Sequence, residues 1–97
     1  MRINVNARYC KEQIDLVFNK YQNGEVAIQG FSLEGEPVFT ATVSLQEKPK
    51  DGYVFLKGWS ENEGIPDALE KAGIVKLTGR TVRAGFAEAQ EAELLEL

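Results

Sequence analysis

The chain has 97 residues, 43% of them hydrophobic and 27% charged, and carries a formal net charge of −4 at pH 7. This composition predicts one compact domain, residues 1–97, with a single modest core. The sequence holds no histidine and one cysteine, Cys10, which argues against catalytic triads, histidine or thiolate metal sites and an intrachain disulfide. The acidity disfavours direct binding to nucleic acid or anionic lipid, because both ligands favour Lys and Arg.

The distribution of apolar residues predicts a cytoplasmic protein that makes no membrane contact. Residues 1–20 contain no long apolar core of the kind found in a signal peptide. No window approaches the ~18 apolar residues that a membrane span needs. An unpaired cysteine fits a reducing compartment. Because a chain of this length has limited capacity to stabilise itself alone, the sequence leaves a homo-oligomer open.

The first half of the chain shows the two-residue periodicity of β-strands. Residues 1–8 alternate weakly and predict a short edge strand. Residues 13–21 (QIDLVFNKY) fit strand or helix by spacing, and their β-branched and aromatic residues favour the strand. Asn23-Gly24 follows as a hairpin turn, since this pair tolerates positive φ.

Three more extended segments follow this turn. Residues 25–33 (EVAIQGFSL) predict a strand that ends in a turn at Glu34-Gly35. Pro37 begins the next strand, and residues 38–45 (VFTATVSL) alternate as a half-buried antiparallel strand does. Residues 53–59 (YVFLKGW) are apolar at nearly every position, which predicts a central strand.

A short helix is predicted near residues 63–72. Ser60 or Asn62 can cap its start, Pro66 fits its first turn, and Gly73 fits a left-handed C-cap. An apolar stripe supports the helix, consisting of Ile65, Leu69 and Ala72. Beyond it, IVKL and RTVRAGF read as extended, whereas AEAQEAELLEL fits either strand or helix. The predicted fold class is α+β, an antiparallel meander of about four to six strands with this one short helix.

Acidic residues near the only tryptophan and near the end of the chain form one candidate surface for binding a partner protein. Its members are Trp59, Glu61, Glu63, Glu88, Glu91 and Glu93. Carboxylates at these positions also fit a simpler role, as solubilising charges and as compensation for the helix dipole. Trp59 fits a core residue at the strand–helix corner, or an interface anchor.

A second candidate site consists of basic residues beside the turn at Thr78-Gly79. Lys76, Arg80 and Arg83 could bind a phosphate or an acidic partner, and Arg80 would present a fork-shaped donor. The segment lacks the Gly-Lys-Ser/Thr ending of a P-loop, so nucleotide binding by that mechanism is not indicated. A solvent-facing basic edge explains the same residues. No cofactor or metal is predicted.

Three segments resemble those of a known protein group: YQNGEVAIQGFSLEGEPVFTATVSL, ENEG and GIVKLTGRTVRAGF. On these residues, the chain from Tyr21 onward resembles the short uncharacterised bacterial proteins grouped as the domain of unknown function DUF4313. That group is encoded mostly on conjugative plasmids, integrative elements and phages. The resemblance implies an accessory gene of a mobile element and no known activity. It also implies that the final segment begins as a strand, roughly from Ala84 to Ala92.

These observations together favour a non-enzymatic interaction protein. The resemblance, the acidity and the lack of catalytic groups point to a host-encoded or element-encoded protein as the partner. The concrete form of this hypothesis is inhibition of a host defence nuclease, of the anti-CRISPR or anti-restriction type, by carboxylates placed where phosphates would bind. The alternative is a small-ligand or phosphate-binding module that uses Lys76, Arg80 and Arg83.

Overall fold

The computed structural model describes residues 1–95 and contains two antiparallel sheets and one short helix. The first sheet has the strand order β1 (Arg2–Ala7), β2 (Cys10–Lys20), β3 (Val26–Phe31), β4 (Pro37–Thr40). The second sheet contains β5 (Tyr53–Leu56), β6 (Val75–Ala84) and β7 (Ala87–Leu94), in the order β5-β7-β6. A 3-10 turn, Ser60–Asn62, and helix α1, Ile65–Lys71, lie between β5 and β6. The α+β fold class with an antiparallel meander is thereby confirmed.

The first sheet follows the alternation of its sequence. Residues of β1 are exposed and buried in strict turn, and a two-residue turn joins this strand to β2. The strand interpretation of residues 13–21 is confirmed through Lys20. At the Asn23-Gly24 hairpin, Gly24 has φ 89°, and Asn23 Oδ1 accepts a hydrogen bond from Glu25 N at 3.0 Å.

Gly30 of β3 packs closely against Phe39 of β4. It lies directly opposite Phe39 in the register, and a Cβ built on Gly30 would approach Phe39 Cζ to 2.5 Å. The aromatic ring thus occupies the space that any larger residue at position 30 would need. Because Phe39 is buried in the core, the ring has little room to move away.

The predicted strand over residues 38–45 is shorter in the structure, where β4 ends at Thr40. The chain then changes its pairing partner. Ala41 N donates to Ile28 O of the first sheet at 2.8 Å, whereas Val43 N donates to Phe55 O of the second sheet at 2.9 Å. The hydrogen bonds of this segment therefore pass from one sheet to the other, and the alternation is interrupted where Ala41 and Thr42 are both buried.

β7, and not β5, is the central strand of the second sheet. The prediction that residues 53–59 form a central strand is wrong, because β5 ends at Leu56 and has β7 as its one neighbouring strand within residues 1–95. Its other edge carries only an isolated bridge between Thr42 and Leu56. Its apolar character reflects burial on both faces. The strand alternative for AEAQEAELLEL is correct up to Leu94, and it begins at Ala87 rather than at Ala84 because Gly85-Phe86 forms the turn from β6.

Helix α1, Ile65–Lys71, begins two residues later than predicted. Its N-cap is Gly64, not Ser60 or Asn62. Asn62 is buried and instead donates from Nδ2 to Thr40 O at 2.7 Å. Gly64 combines φ 88° with a close approach to β1, where an added Cβ would come within 3.2 Å of Ala7 Cβ.

The buried face of α1 differs from the predicted stripe by one residue. Ile65 and Leu69 are buried as expected, whereas Ala72 is exposed and Ala68 takes its place. Gly73 has φ 77°, as a left-handed residue after the helix does. Within residues 1–95, no helix is long and apolar enough to cross a membrane.

Two apolar clusters lie on opposite faces of the second sheet. The main core joins α1 to both sheets, and its most buried side chains are Ile14, Ile28, Leu56, Ile65, Leu69, Ile74 and Val75. A smaller cluster on the other face contains Phe55, Val82 and Ala89, with Trp59 packed against it.

Candidate functional site

Glu91 is a buried carboxylate at the centre of the second sheet. It lies on β7, is 3% exposed, and faces a bulge in which residues 78–80 of β6 oppose this single residue. Thr78 Oγ1 donates to Glu91 Oε1 at 2.8 Å, and Arg80 Nη1 donates to Oε2 at 2.9 Å. The Thr78 hydrogen bond, assisted by Arg80, lowers the pKa of Glu91 although its burial acts in the opposite direction. The ionised carboxylate of Glu91 therefore holds the bulge in place.

Arg80 is engaged by two carboxylates of the protein itself. Its guanidinium contacts Glu91 and also Glu47, in the loop before β5. These residues line a cavity of about 250 Å³ together with Lys48 and Lys50. An incoming anion would have to compete with both carboxylates for the guanidinium, so the arrangement suits a structural anchor better than a phosphate site.

The structure does not bring the three predicted basic residues together. Lys76 lies opposite Glu93 and Arg83 lies opposite Glu88 in the register of β6 and β7. Directly opposed residues share a face of the sheet, and positions 88 and 93 of one strand point to opposite faces. Lys76 and Arg83 are therefore on different faces of β6.

The acidic residues before α1 each have a basic neighbour. Lys57 Nζ lies 2.7 Å from Glu61 Oε1, and Arg8 Nη1 lies 3.2 Å from Glu63 Oε2. The hydrogen bond from Lys57 lowers the pKa of Glu61. These pairs are on the surface, where their contribution is screened by solvent. They reduce the net negative charge that this part of the chain offers to a partner.

Trp59 is half-buried at the corner between β5 and the 3-10 turn. Its side chain packs against the smaller apolar cluster, and Lys57 Nζ lies 5.8 Å from its ring centroid. The next residue, Ser60, has φ 55°, a left-handed value uncommon for a residue with a side chain. The backbone thus turns sharply between the tryptophan and the ion pair of Glu61.

Glu88 and Glu93 form no ion pair within residues 1–95. They lie on opposite faces of β7, as their register positions require. Glu88 accepts a hydrogen bond from Thr81 Oγ1 at 3.3 Å. The six predicted partner-binding residues are consequently distributed over separate surfaces, with Glu91 in the interior.

Phe86, which was not selected from the sequence, is the most exposed large apolar side chain in the described part of the chain, at 110% of the reference accessibility. It lies at the tip of the β6–β7 hairpin, next to Gly85. β5 pairs only with residues 90–93 of β7, so the hairpin extends past the third strand of its sheet. The sequence feature that could have identified this exposed residue is the Gly-Phe pair between two extended segments.

No protein-family model, curated protein or solved structure matches this chain. The resemblance of its motifs to the DUF4313 group therefore stays a prediction. A function has to be argued from the geometry of the described residues, together with that prediction.

Proposed function

We propose that this protein is a non-enzymatic interaction protein of a mobile genetic element that binds and inhibits a host defence nuclease. The β6–β7 hairpin arm, residues 82–89, would form the centre of the contact. The observation that carries the proposal is Phe86, a fully exposed aromatic side chain at the end of this arm. Aromatic side chains that enter an apolar pocket of a partner supply much of the binding energy in such interfaces.

Charge supports a basic partner surface around the pocket. Glu88 lies two residues from Phe86 on the arm and forms no close ion pair within residues 1–95, although Arg83 lies opposite it in the register of β6 and β7. The chain as a whole carries a net charge of −4. Nucleases carry basic channels for nucleic acid, and carboxylates at the mouth of such a channel would accelerate association and compete with phosphates. Trp59 and the remaining acidic residues, including Glu93, would then contribute around the anchor rather than form it.

The first test is a plating assay in bacteria that carry a defined restriction enzyme or CRISPR effector. Expression of the protein should raise the plating efficiency of a targeted phage. Phe86→Ser should abolish this protection without lowering Tm, because a fully exposed ring makes few contacts in the free protein. Leu33→Ser is the matched control, since Leu33 is 45% exposed in the turn between β3 and β4, and it should protect as the wild type does.

Purified components provide the second readout. Phe86→Ser should weaken binding to the inhibited nuclease at least about tenfold, as truncation of an interface anchor does. Glu88→Lys should slow association mainly at low salt. Absence of protection against every nuclease in a panel of both classes would contradict the proposal. Full protection by Phe86→Ser would place the contact elsewhere.

A further inference from the structure

β1 forms the outer edge of the first sheet, and its pairing with β2 determines which backbone groups face outward. Leu16 N donates to Met1 O at 2.7 Å, and the Met1 amine donates to Leu16 O at 3.2 Å. Such mutually bonded pairs alternate along an antiparallel ladder with pairs that exchange no bond. The register therefore directs the N–H and C=O groups of Arg2, Asn4 and Asn6 away from β2.

The outer edges of β4 and β5 are each blocked in part. β4 begins with Pro37, which lacks an N–H, and Asn62 Nδ2 donates to Thr40 O at 2.7 Å. β5 is covered by the segment that crosses between the sheets, where Val43 N donates to Phe55 O at 2.9 Å. Both edges thus have part of their hydrogen-bonding capacity already satisfied.

The outer edge of β6 is interrupted as well. Its bulge at residues 78–80 breaks the regular spacing, and Glu70 Oε2 accepts a bond from Leu77 N at 2.9 Å. Proline, bulges and side-chain caps are the devices by which proteins protect strand edges from pairing with other chains. Among the outer strands within residues 1–95, only β1 has none of these devices over its length, Arg2–Ala7.

The open edge of β1 forms one wall of a groove of about 680 Å³, and α1 forms the other wall. Small residues line the helix side, among them Gly64, Ala68 and Ala72. The groove closes beyond the end of β1, where Arg8 N donates to Glu63 O at 3.4 Å. One wall is thus formed by the backbone and side chains of β1, and the other by these small residues together with the longer side chains of Asp67 and Lys71.

We propose that the edge of β1 binds an extended, uncharged segment of another protein as an added antiparallel strand. Only an extended backbone presents donors and acceptors at the spacing of alternate strand residues. Apolar side chains of the added strand would fill the space along Ala68 and Ala72, and polar ones would lie beside Asn4 and Asn6. This site uses a different surface from the β6–β7 arm.

The charges around the groove favour an uncharged occupant. Arg2 Nε lies 2.9 Å from Asp15 Oδ1, and Arg8 is paired with Glu63. Among the other lining residues, Asp67 and Lys71 contribute one charge of each sign. The groove therefore offers no net charge for a strongly acidic or basic segment to pair with.

A second copy of this chain fits the groove poorly. Two copies joined antiparallel, edge to edge, through β1 would each bring α1 to the same side of the shared sheet. Because α1 is itself a wall of the groove, both helices would enter one space, whereas packed helices need about 8–10 Å between their axes. The occupant is therefore a strand without a helix beside it.

The substitution Asn4→Pro tests the edge directly. The N–H of Asn4 faces outward, so proline removes a donor for an added strand without removing a bond to β2. Asn4→Thr is the matched control, because it keeps the N–H and favours strand structure. A display library of random decapeptides is selected on the wild-type protein, and an enriched peptide is then synthesised and titrated.

The library should yield uncharged peptides with alternate apolar residues. In NMR hydrogen exchange, addition of the peptide should protect the amides of residues 2, 4 and 6. Asn4→Pro should weaken binding at least about tenfold and Asn4→Thr by less than about twofold. Phe86→Ser should bind the peptide as the wild type does, which separates this site from the proposed inhibitory contact.

Three results would overturn the inference. The first is a library that yields no enriched peptide, and the second is equal binding of the peptide to Asn4→Pro and the wild type. The third is protection of the amides of residues 2, 4 and 6 by raised protein concentration alone. That last result would assign the edge to a second copy of this chain instead of another protein.

Discussion

In the first sheet each strand pairs with the strand that follows it along the chain, whereas in the second sheet β7 inserts between β5 and β6. The core-facing side of the first sheet is apolar, and Gly30 leaves the space there that the Phe39 ring occupies. The second sheet carries a buried carboxylate, Glu91, on its central strand. Alternation and turn residues thus specify the first sheet, while the second also depends on a polar contact between distant residues.

The substitution with the largest expected effect on stability lies in α1 and tests whether the two sheets unfold together. Leu69 of α1 is fully buried in the core that both sheets share. Leu69→Ala should cost about 2–5 kcal/mol of stability, from lost apolar burial and the cavity left behind. Denaturation followed by far-UV circular dichroism and by Trp59 fluorescence should give one shared midpoint. Separate midpoints would mean that the sheets are independent units. Leu95→Ala, which is about half exposed, should change stability by less than about 0.5 kcal/mol.

A smaller effect is confined to the first sheet. Gly30→Ala should cost about 1–3 kcal/mol, because the new methyl group overlaps the Phe39 ring. The measurement is the free energy of unfolding in urea. Phe39→Leu in the same chain should recover part of the loss by making room at this position. If the free-energy changes of the two substitutions simply add in the double variant, the Phe39 ring is not the cause of the loss.

The smallest expected effect is a change in how stability depends on pH, and it comes from Glu91 in the second sheet. The pKa of Glu91 is lowered in the folded protein from its ordinary value of 4.5. Its stabilisation is therefore fully present above pH 4.5 and is lost as the pH falls through the lower folded-state pKa.

Glu91→Gln should accordingly reduce stability at neutral pH and flatten its decline in acid. Tm measured from neutral to strongly acidic pH checks this expectation. Glu61→Gln is the matched control, since the pKa of Glu61 is also lowered but its side chain is 63% exposed. If Tm of Glu91→Gln falls with decreasing pH as steeply as that of the wild type, the Glu91 carboxylate is not the cause of the acid sensitivity.

The difference between the two sheets also explains which parts of the fold could be predicted from the sequence. β1 to β4 followed from alternation and from the Asn23-Gly24 turn, which are local signals. The final segment did not follow, because Ala and Glu favour helix intrinsically and only its insertion between β5 and β6 makes it a strand. The end of β4 at Thr40 likewise depends on a change of partner that no local pattern records.

The candidate sites were less predictable than the fold. Arg80 was selected as a donor for a ligand, but the bulge directs it to Glu91, and the contact between them depends on the register of β6 and β7. Glu61 and Glu63 were selected for their charge, which their neighbours Lys57 and Arg8 offset. Phe86 was passed over because exposure of a single aromatic residue is a property of the hairpin, not of the local sequence.

The strand order of the second sheet also has a consequence for synthesis on the ribosome. Every strand of the first sheet is available once residue 40 has left the exit tunnel. β5 emerges well before β7, and β6 directly before it, yet neither has its pairing partner until residues 87–94 follow. During this interval the apolar residues Val54, Phe55 and Leu56 are without their native cover. The nascent chain should therefore bind chaperones at this stage, and a pause in translation before residue 87 should increase its aggregation.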